Sequence, residues 1–145
     1  MGSRFVLVRD TREQNGFSFP LHSVVDKKLD TGDYSIEGFE GEVCVERKTI
    51  PELWGLINLS RFRRELERME VFHRKMVVIE GSIPDALLGN RFSKIPGARV
   101  VKTMLRWEAH YGVAFHWCTN RSEAQAVTLR FLESYWMLFG MMKNR

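Results

Sequence analysis

The chain has 145 residues, 44% of them hydrophobic and 28% charged, an ordinary balance for one soluble globular domain with its own core. Lys and Arg outnumber Asp and Glu by 22 to 18, which permits a nucleic-acid partner without requiring one. Cys44 and Cys118 form no CxxC pair, and no signal peptide or membrane-length apolar run is present. These absences argue against a zinc site, a disulfide framework and a membrane partner, and for an intracellular protein of the cytoplasm, nucleoid or nucleus.

Residues 5–8 form a short apolar run that ends at Arg9-Asp10 and reads as a buried strand, with loop chemistry following at Gln14-Asn15-Gly16. Residues 24–29 are a second strand. The turn Asp30-Thr31-Gly32-Asp33 opens a third, residues 34–36, which closes on Gly38 and Gly41 and pairs as a hairpin with residues 43–48. Pro51 suits a first helical turn, so a helix spans residues 51–57. Ser60 is placed to cap the next helix, residues 61–72. Residues 76–79 form an apolar strand, Ser82 and Pro84 start a short helix, and a longer one covers residues 97–111. Residues 113–117 are the last strand. Asn120 with Glu123 three residues on caps a final helix to residue 139. Antiparallel strands first and alternating helices and strands later predict a mixed-sheet α/β domain without linker or repeat.

The chemistry concentrates where the run Val43-Cys44-Val45 passes directly into Glu46-Arg47-Lys48. Side chains alternate across a strand, so Glu46 and Lys48 share one face and Val45 and Arg47 the other. Hairpin pairing brings Asp33 beside them. Two neighbouring carboxylates repel unless a cation sits between them, and hard oxygen ligands with open positions suit Mg²⁺ or Mn²⁺. Lys48 would then orient or deprotonate a water, or steady charge on a phosphate. On spacing alone, a plain ion pair of Glu46 with Lys48 or Arg47 is the preferred account.

Motif order shifts that balance. Val8-Arg9-Asp10-Thr11-Arg12-Glu13, Gly32-Asp33-Tyr34, Val45-Glu46-Arg47-Lys48 and Arg61-Phe62 with Glu65-Leu66 and Arg68-Met69 follow one another in sequence. The series resembles the nuclease domain of the XPF-type structure-specific endonucleases, clearly over residues 5–81 and more loosely beyond. The resemblance implies a restriction-endonuclease-like fold: a mixed central sheet flanked by helices. It implies Asp33 and Glu46 as metal ligands, the backbone carbonyl of Arg47 as a third and Lys48 as the catalytic lysine. Asp10 and Glu13 would extend the acidic cluster, Asp10 among the ligands, with Arg12 and Arg47 as nearby cations. Glu52 stands where the family has Asp, which puts that residue's hydrogen-bonding role in question. No tandem helix-hairpin-helix module follows, since Arg99 replaces the second glycine that Ile95-Pro96-Gly97 would need. The chain thus reads as one nuclease domain over residues 1–145.

On the helix at 61–72, Phe62, Leu66 and Met69 form a core stripe, with Arg61–Glu65 and Arg63–Glu67 as i,i+4 pairs. Arg64 and Arg68 are like charges at the same spacing, which an anionic backbone would offset; Arg12, Arg61, Arg64 and Arg68 are the candidate DNA contacts. The final helix shows apolar residues over a wide arc, and the resemblance implies a homodimer through it. The expected function is a Mg²⁺- or Mn²⁺-dependent DNA endonuclease acting at branched or single/double-strand junction DNA. The alternative is a catalytically inactive DNA-binding or scaffold subunit of the same fold. Inactive members lose the motif carboxylates, whereas Asp10, Asp33, Glu46 and Lys48 are present here.

Overall fold

The computed structural model describes residues 4–58 and 60–141. Its strands are β1 (Val6–Arg9), β2 (Ser23–Asp26), β3 (Tyr34–Ile36), β4 (Val43–Thr49), β5 (Arg74–Glu80) and β6 (Ala114–Trp117). Its helices are α1 (Ile50–Leu56), α2 (Ser60–Met69), α3 (Ile83–Leu87), α4 (Gly97–Tyr111) and α5 (Arg121–Tyr135), the last prolonged by a π-helical turn, Trp136–Gly140. The six strands form one sheet in the order β2-β1-β3-β4-β5-β6. The β1–β3 and β3–β4 pairings are antiparallel, whereas β1–β2, β4–β5 and β5–β6 are parallel. The expected mixed sheet is therefore present, with the hairpin of β3 and β4 at its centre.

Helices cover both faces, which is why β4 and β5 read as unbroken apolar runs rather than alternating ones. One core packs Cys44, Val77 and Ile79 of the sheet against Leu53 and Trp54 of α1, Phe62, Leu66 and Met69 of α2, and Val100 and Met104 of α4. The other packs Leu7, Val43, Val45, Met76 and Val78 against Phe17, Tyr34 and the α5 residues Ala124, Leu132 and Tyr135. Alternation along β4 thus sends Glu46 and Lys48 to the α2 face and Arg47 to the α5 face.

Local chemistry sets the helix limits. The carboxylate of Glu52 accepts hydrogen bonds from the Thr49 N–H (3.1 Å) and hydroxyl (2.9 Å), so this residue fastens the β4–α1 junction. Asn120 Oδ1 accepts from the Glu123 N–H at 2.9 Å, which caps α5 as expected. Gly112, at φ +66°, ends α4 in the left-handed conformation that a side chain resists. Ser60 lies inside α2, where its Oγ accepts from Arg64.

Candidate active site

Beyond the pair Tyr34↔Val45 the β3–β4 ladder opens, and Asp33 takes over from it. Its N–H donates to the Val45 carbonyl (2.8 Å), while its Oδ2 accepts from the Arg47 N–H (2.8 Å). A side chain has replaced the next backbone rung, and the replacement pins Asp33 beside Glu46. Gly32 makes this possible. At φ +84° it adopts a turn that L side chains rarely tolerate, and a Cβ there would lie 2.8 Å from the Cys44 Cβ. The Gly-Asp-Tyr motif is thus a backbone device for presenting one carboxylate.

A cleft of about 290 Å³ opens on the α2 face of this strand end, lined by Asp10, Asp33, Glu46, Lys48, Glu65 and Arg68, with Arg12, Arg61, Asp30, Thr31 and Gly32 at its walls. Lys48 Nζ lies 3.9 Å from Glu46 and 4.0 Å from Glu65, with the Phe62 ring centroid 5.3 Å away. Burial, then the neighbouring charge of Asp33, pushes the Glu46 carboxyl well above the usual carboxylate range. Burial works against the Lys48 ammonium, but Glu46, Glu65 and Asp33 outweigh it and raise that pKa. The carboxylates around it thus favour the charged form of Lys48. Glu65 Oε2 is buried without a hydrogen-bond partner.

The other side of β4 carries a second charged cluster. Arg47 donates to Glu80 (2.7 Å) and Glu13 (3.1 Å), Arg121 donates to the same Glu80 oxygen (3.2 Å), and the Tyr34 hydroxyl donates to Glu13 (2.7 Å). Both guanidinium groups lie over the Phe17 ring, at 4.9 Å and 5.2 Å from its centroid. Arg121 also donates to the carbonyls of Asn15 and Gly16, tying α5 to the loop after β1. Burial and the charge of Asp33 raise the Glu13 pKa despite its hydrogen bonds from Tyr34 and Arg47.

Several expectations need correction. Glu13 does not extend the acidic cleft: Phe17 and Tyr34 draw its loop to the α5 face, where it pairs with Arg47. Asp10 lines the cleft but has both oxygens engaged, Oδ1 by the Leu29 N–H (2.8 Å) and Oδ2 by Arg12 Nε (2.9 Å). These bonds brace the loop ends, and each oxygen keeps a further lone pair towards the cleft. Arg12 is correspondingly committed to Asp10 and to the Leu29 carbonyl. Among the described residues neither Arg61–Glu65 nor Arg63–Glu67 closes as an ion pair, because Glu65 turns to Lys48 and Arg63 donates to the Tyr111 hydroxyl. Arg61 and Arg68 reach the cleft, whereas Arg64 bonds Ser60 on the exposed side. Glu65, Glu80 and Arg121 were not singled out as site residues from sequence. The i,i+4 relation of Glu65 to the motif Arg61 was the available signal for the first; nothing in spacing links Glu80 to Arg121.

The residues of the cleft fit a divalent cation. Asp33 and Glu46 present adjacent carboxylates whose repulsion a cation would relieve, and the Glu65 oxygen that lacks a hydrogen bond would gain an ordered neighbour. The Arg47 N–H faces Asp33, so its carbonyl points to the same strand edge. No group of three His, Cys, Asp or Glu side chains stands together as a ready-made cage among the described residues. Mg²⁺ does not require one, since it commonly takes one or two carboxylates and completes its shell with water and phosphate.

A mixed sheet whose central hairpin ends in two carboxylates and a lysine, with helices on both faces, defines a restriction-endonuclease-like fold. The ERCC4 domain model matches residues 9–131, and the chain belongs to that family. Two solved structures share the architecture. XPF from Aeropyrum pernix is 18% identical with a TM-score of 0.69, over 88% of this chain and 60% of that one. XPF from Aeropyrum pernix in complex with DNA is 20% identical with a TM-score of 0.66, over 93% and 64%. This chain thus spans under two thirds of either structure's length. No curated protein matches it.

Proposed function

We propose that the chain is a divalent-metal-dependent DNA endonuclease, hydrolysing phosphodiester bonds at branched or single/double-strand junction DNA. The observation that carries this reading is the pinned Asp33–Glu46 pair with Lys48 Nζ 3.9 Å from Glu46 across one cleft, in a chain of the ERCC4 domain family. Asp33, Glu46 and the Arg47 carbonyl would hold Mg²⁺ or Mn²⁺. The metal, when bound, would supply Lewis-acid polarisation of the phosphate and a more acidic water. Lys48, held cationic, places positive charge where the phosphate gains negative charge and can hydrogen-bond the attacking water. Arg61 and Arg68 at the cleft wall suit the DNA backbone. Residues 1–145 would act as one nuclease domain in an intracellular setting; no described helix is long and apolar enough to cross a membrane.

The test is incubation with flap, fork, duplex and single-stranded DNA, with and without Mg²⁺ or Mn²⁺. Asp33→Asn and Glu46→Gln should each lower the cutting rate on the order of 100-fold or more, as loss of a ligand and its support does. Lys48→Ala should lower turnover while leaving DNA affinity nearly intact. Undiminished cutting by either carboxylate variant, or full activity in EDTA, sinks the two-carboxylate site. The scaffold reading would take its place if the wild type binds branched DNA and cuts none.

A further inference from the structure

Between Asp85 and Glu108 the chain carries Arg91, Lys94, Arg99, Lys102 and Arg106 and no carboxylate. All five cations are exposed. Arg99, Lys102 and Arg106 stand at i, i+3 and i+7 on α4, one stripe opposite its buried Val100 and Met104 face. In the α3–α4 loop, Leu88 is 87% exposed and Phe92 is 85% exposed, with the Arg91 guanidinium 4.8 Å from the Phe92 ring centroid. The loop is built rather than loose. Gly89 turns at φ +89°, Asn90 accepts from the Phe92 N–H (2.9 Å) and the Ser93 N–H (3.0 Å), and the Trp54 indole donates to the Ile95 carbonyl (2.9 Å). An ordered loop that holds a bare aromatic ring among unopposed cations is suited to an anionic partner with flat apolar faces.

We propose that this loop and the basic stripe of α4 take an unpaired strand of DNA, one base stacking on Phe92 and its neighbouring phosphates meeting Arg91, Lys94 and Arg99. The proposal rests on the DNA-acting reading above and extends it to a second contact surface. A hollow of about 260 Å³ lies between Phe92 and the Ile50, Pro51 and Trp54 side of α1. The opposite side of α1, at Glu52 and Gly55, borders a hollow shared with Lys48 and Glu65. The helix α1 thus stands between Phe92 and a hollow that shares Lys48, Arg61 and Glu65 with the acidic cleft. A helix is about 10 Å across, which a strand crosses in about three nucleotide steps. Stacking is sequence-tolerant because every base has a π face, so the surface selects unpaired strand over duplex rather than one base over another.

The test uses oligothymidylate carrying one 2-aminopurine, and a duplex of equal length, both titrated in EDTA so that nothing is cut. Wild type should bind the single strand and quench the probe. Phe92→Ala should weaken single-strand binding about fivefold or more and abolish quenching, with duplex affinity and melting temperature unchanged, while Phe92→Trp should retain both signals. Replacing Arg91, Lys94 and Arg99 together by Ala should lower the slope of log affinity against log salt by about 2. A Phe92→Ala variant that binds and quenches as wild type, or loses duplex affinity equally, overturns the proposal. So does a wild type that binds no single strand, the result expected if the loop docks a protein instead. Because binding in EDTA needs no cleavage, loss of this surface leaves the nuclease reading to its own cutting assay, and a chain that binds but never cuts leaves this surface standing.

Discussion

Glu46 holds a costly position, a carboxyl 7% exposed beside Asp33. A carboxyl whose folded pKa is raised stabilises the fold while protonated, and that contribution disappears as pH rises through the raised value. The metal-free protein should therefore gain stability as pH falls from alkaline towards the ordinary carboxylate range. Glu13 shifts the same way, and the carboxyls of Asp26, Glu40 and Asp85, which are shifted down, remain ionised throughout that window. Thermal melts in EDTA check this: Glu46→Gln should melt higher than wild type at neutral pH and show a flatter pH profile. Parallel profiles for the two proteins would contradict it. Gly32 sets the partner carboxylate. Gly32→Ala forces a strained φ and a clash with Cys44, so cutting should fall more steeply than stability, as measured by parallel rate and melting curves.

At the scale of elements, Glu80 joins three parts of the fold. From the end of β5 it accepts from Arg47 of β4 and Arg121 of α5, and it is only 10% exposed. Without Glu80, Arg47 keeps Glu13 and the third-exposed Arg121 keeps its carbonyl partners, so the loss is that of charged hydrogen bonds, about 1–3 kcal/mol. Glu80→Ala should therefore lower the melting temperature by roughly 5 °C. The Arg47 backbone also braces Asp33, so the same change should loosen the cleft from behind. Glu80→Gln, which keeps an acceptor, should lose less. Equal melting temperatures for wild type and Glu80→Ala would show that the network contributes no net stability.

At the scale of the whole molecule, the wide apolar arc of the last helix divides in two. Ala124, Thr128, Leu132, Tyr135 and Trp136 are buried against the sheet, with Val127, Leu129, Phe131 and Phe139 packed partly against the same core. What remains bare is the C-terminal turn, with Met137 and Leu138 each 64% exposed and Met141 54% exposed. The homodimer proposed through this helix therefore rests on that turn rather than on Tyr135 or Phe131. Light scattering at micromolar concentration should give twice the chain mass, and Leu138→Glu should return it to the monomer without lowering the melting temperature. A wild type that stays monomeric on concentration ends the proposal. Tyr135→Glu, by contrast, would place a charge in the core and unfold the domain.

Short-range physics made much of this protein legible from its sequence. The apolar run entering Glu46-Arg47-Lys48, the turn at Gly32 and the Asn120 cap each act within a few residues, so the mixed character of the sheet, its central hairpin and the start of α5 followed from local pattern. Alternation along β4 by itself placed Glu46 and Lys48 on one face. What spacing left open was decided by packing between distant segments. The aromatic cluster of Phe17 and Tyr34 carries Glu13 across the sheet to Arg47, the Leu29 backbone claims an Asp10 oxygen, and Lys48 draws Glu65 away from Arg61. Those choices depend on which charges become neighbours once water is excluded. Only the assembled sheet, bringing together residues far apart in the chain, settles that.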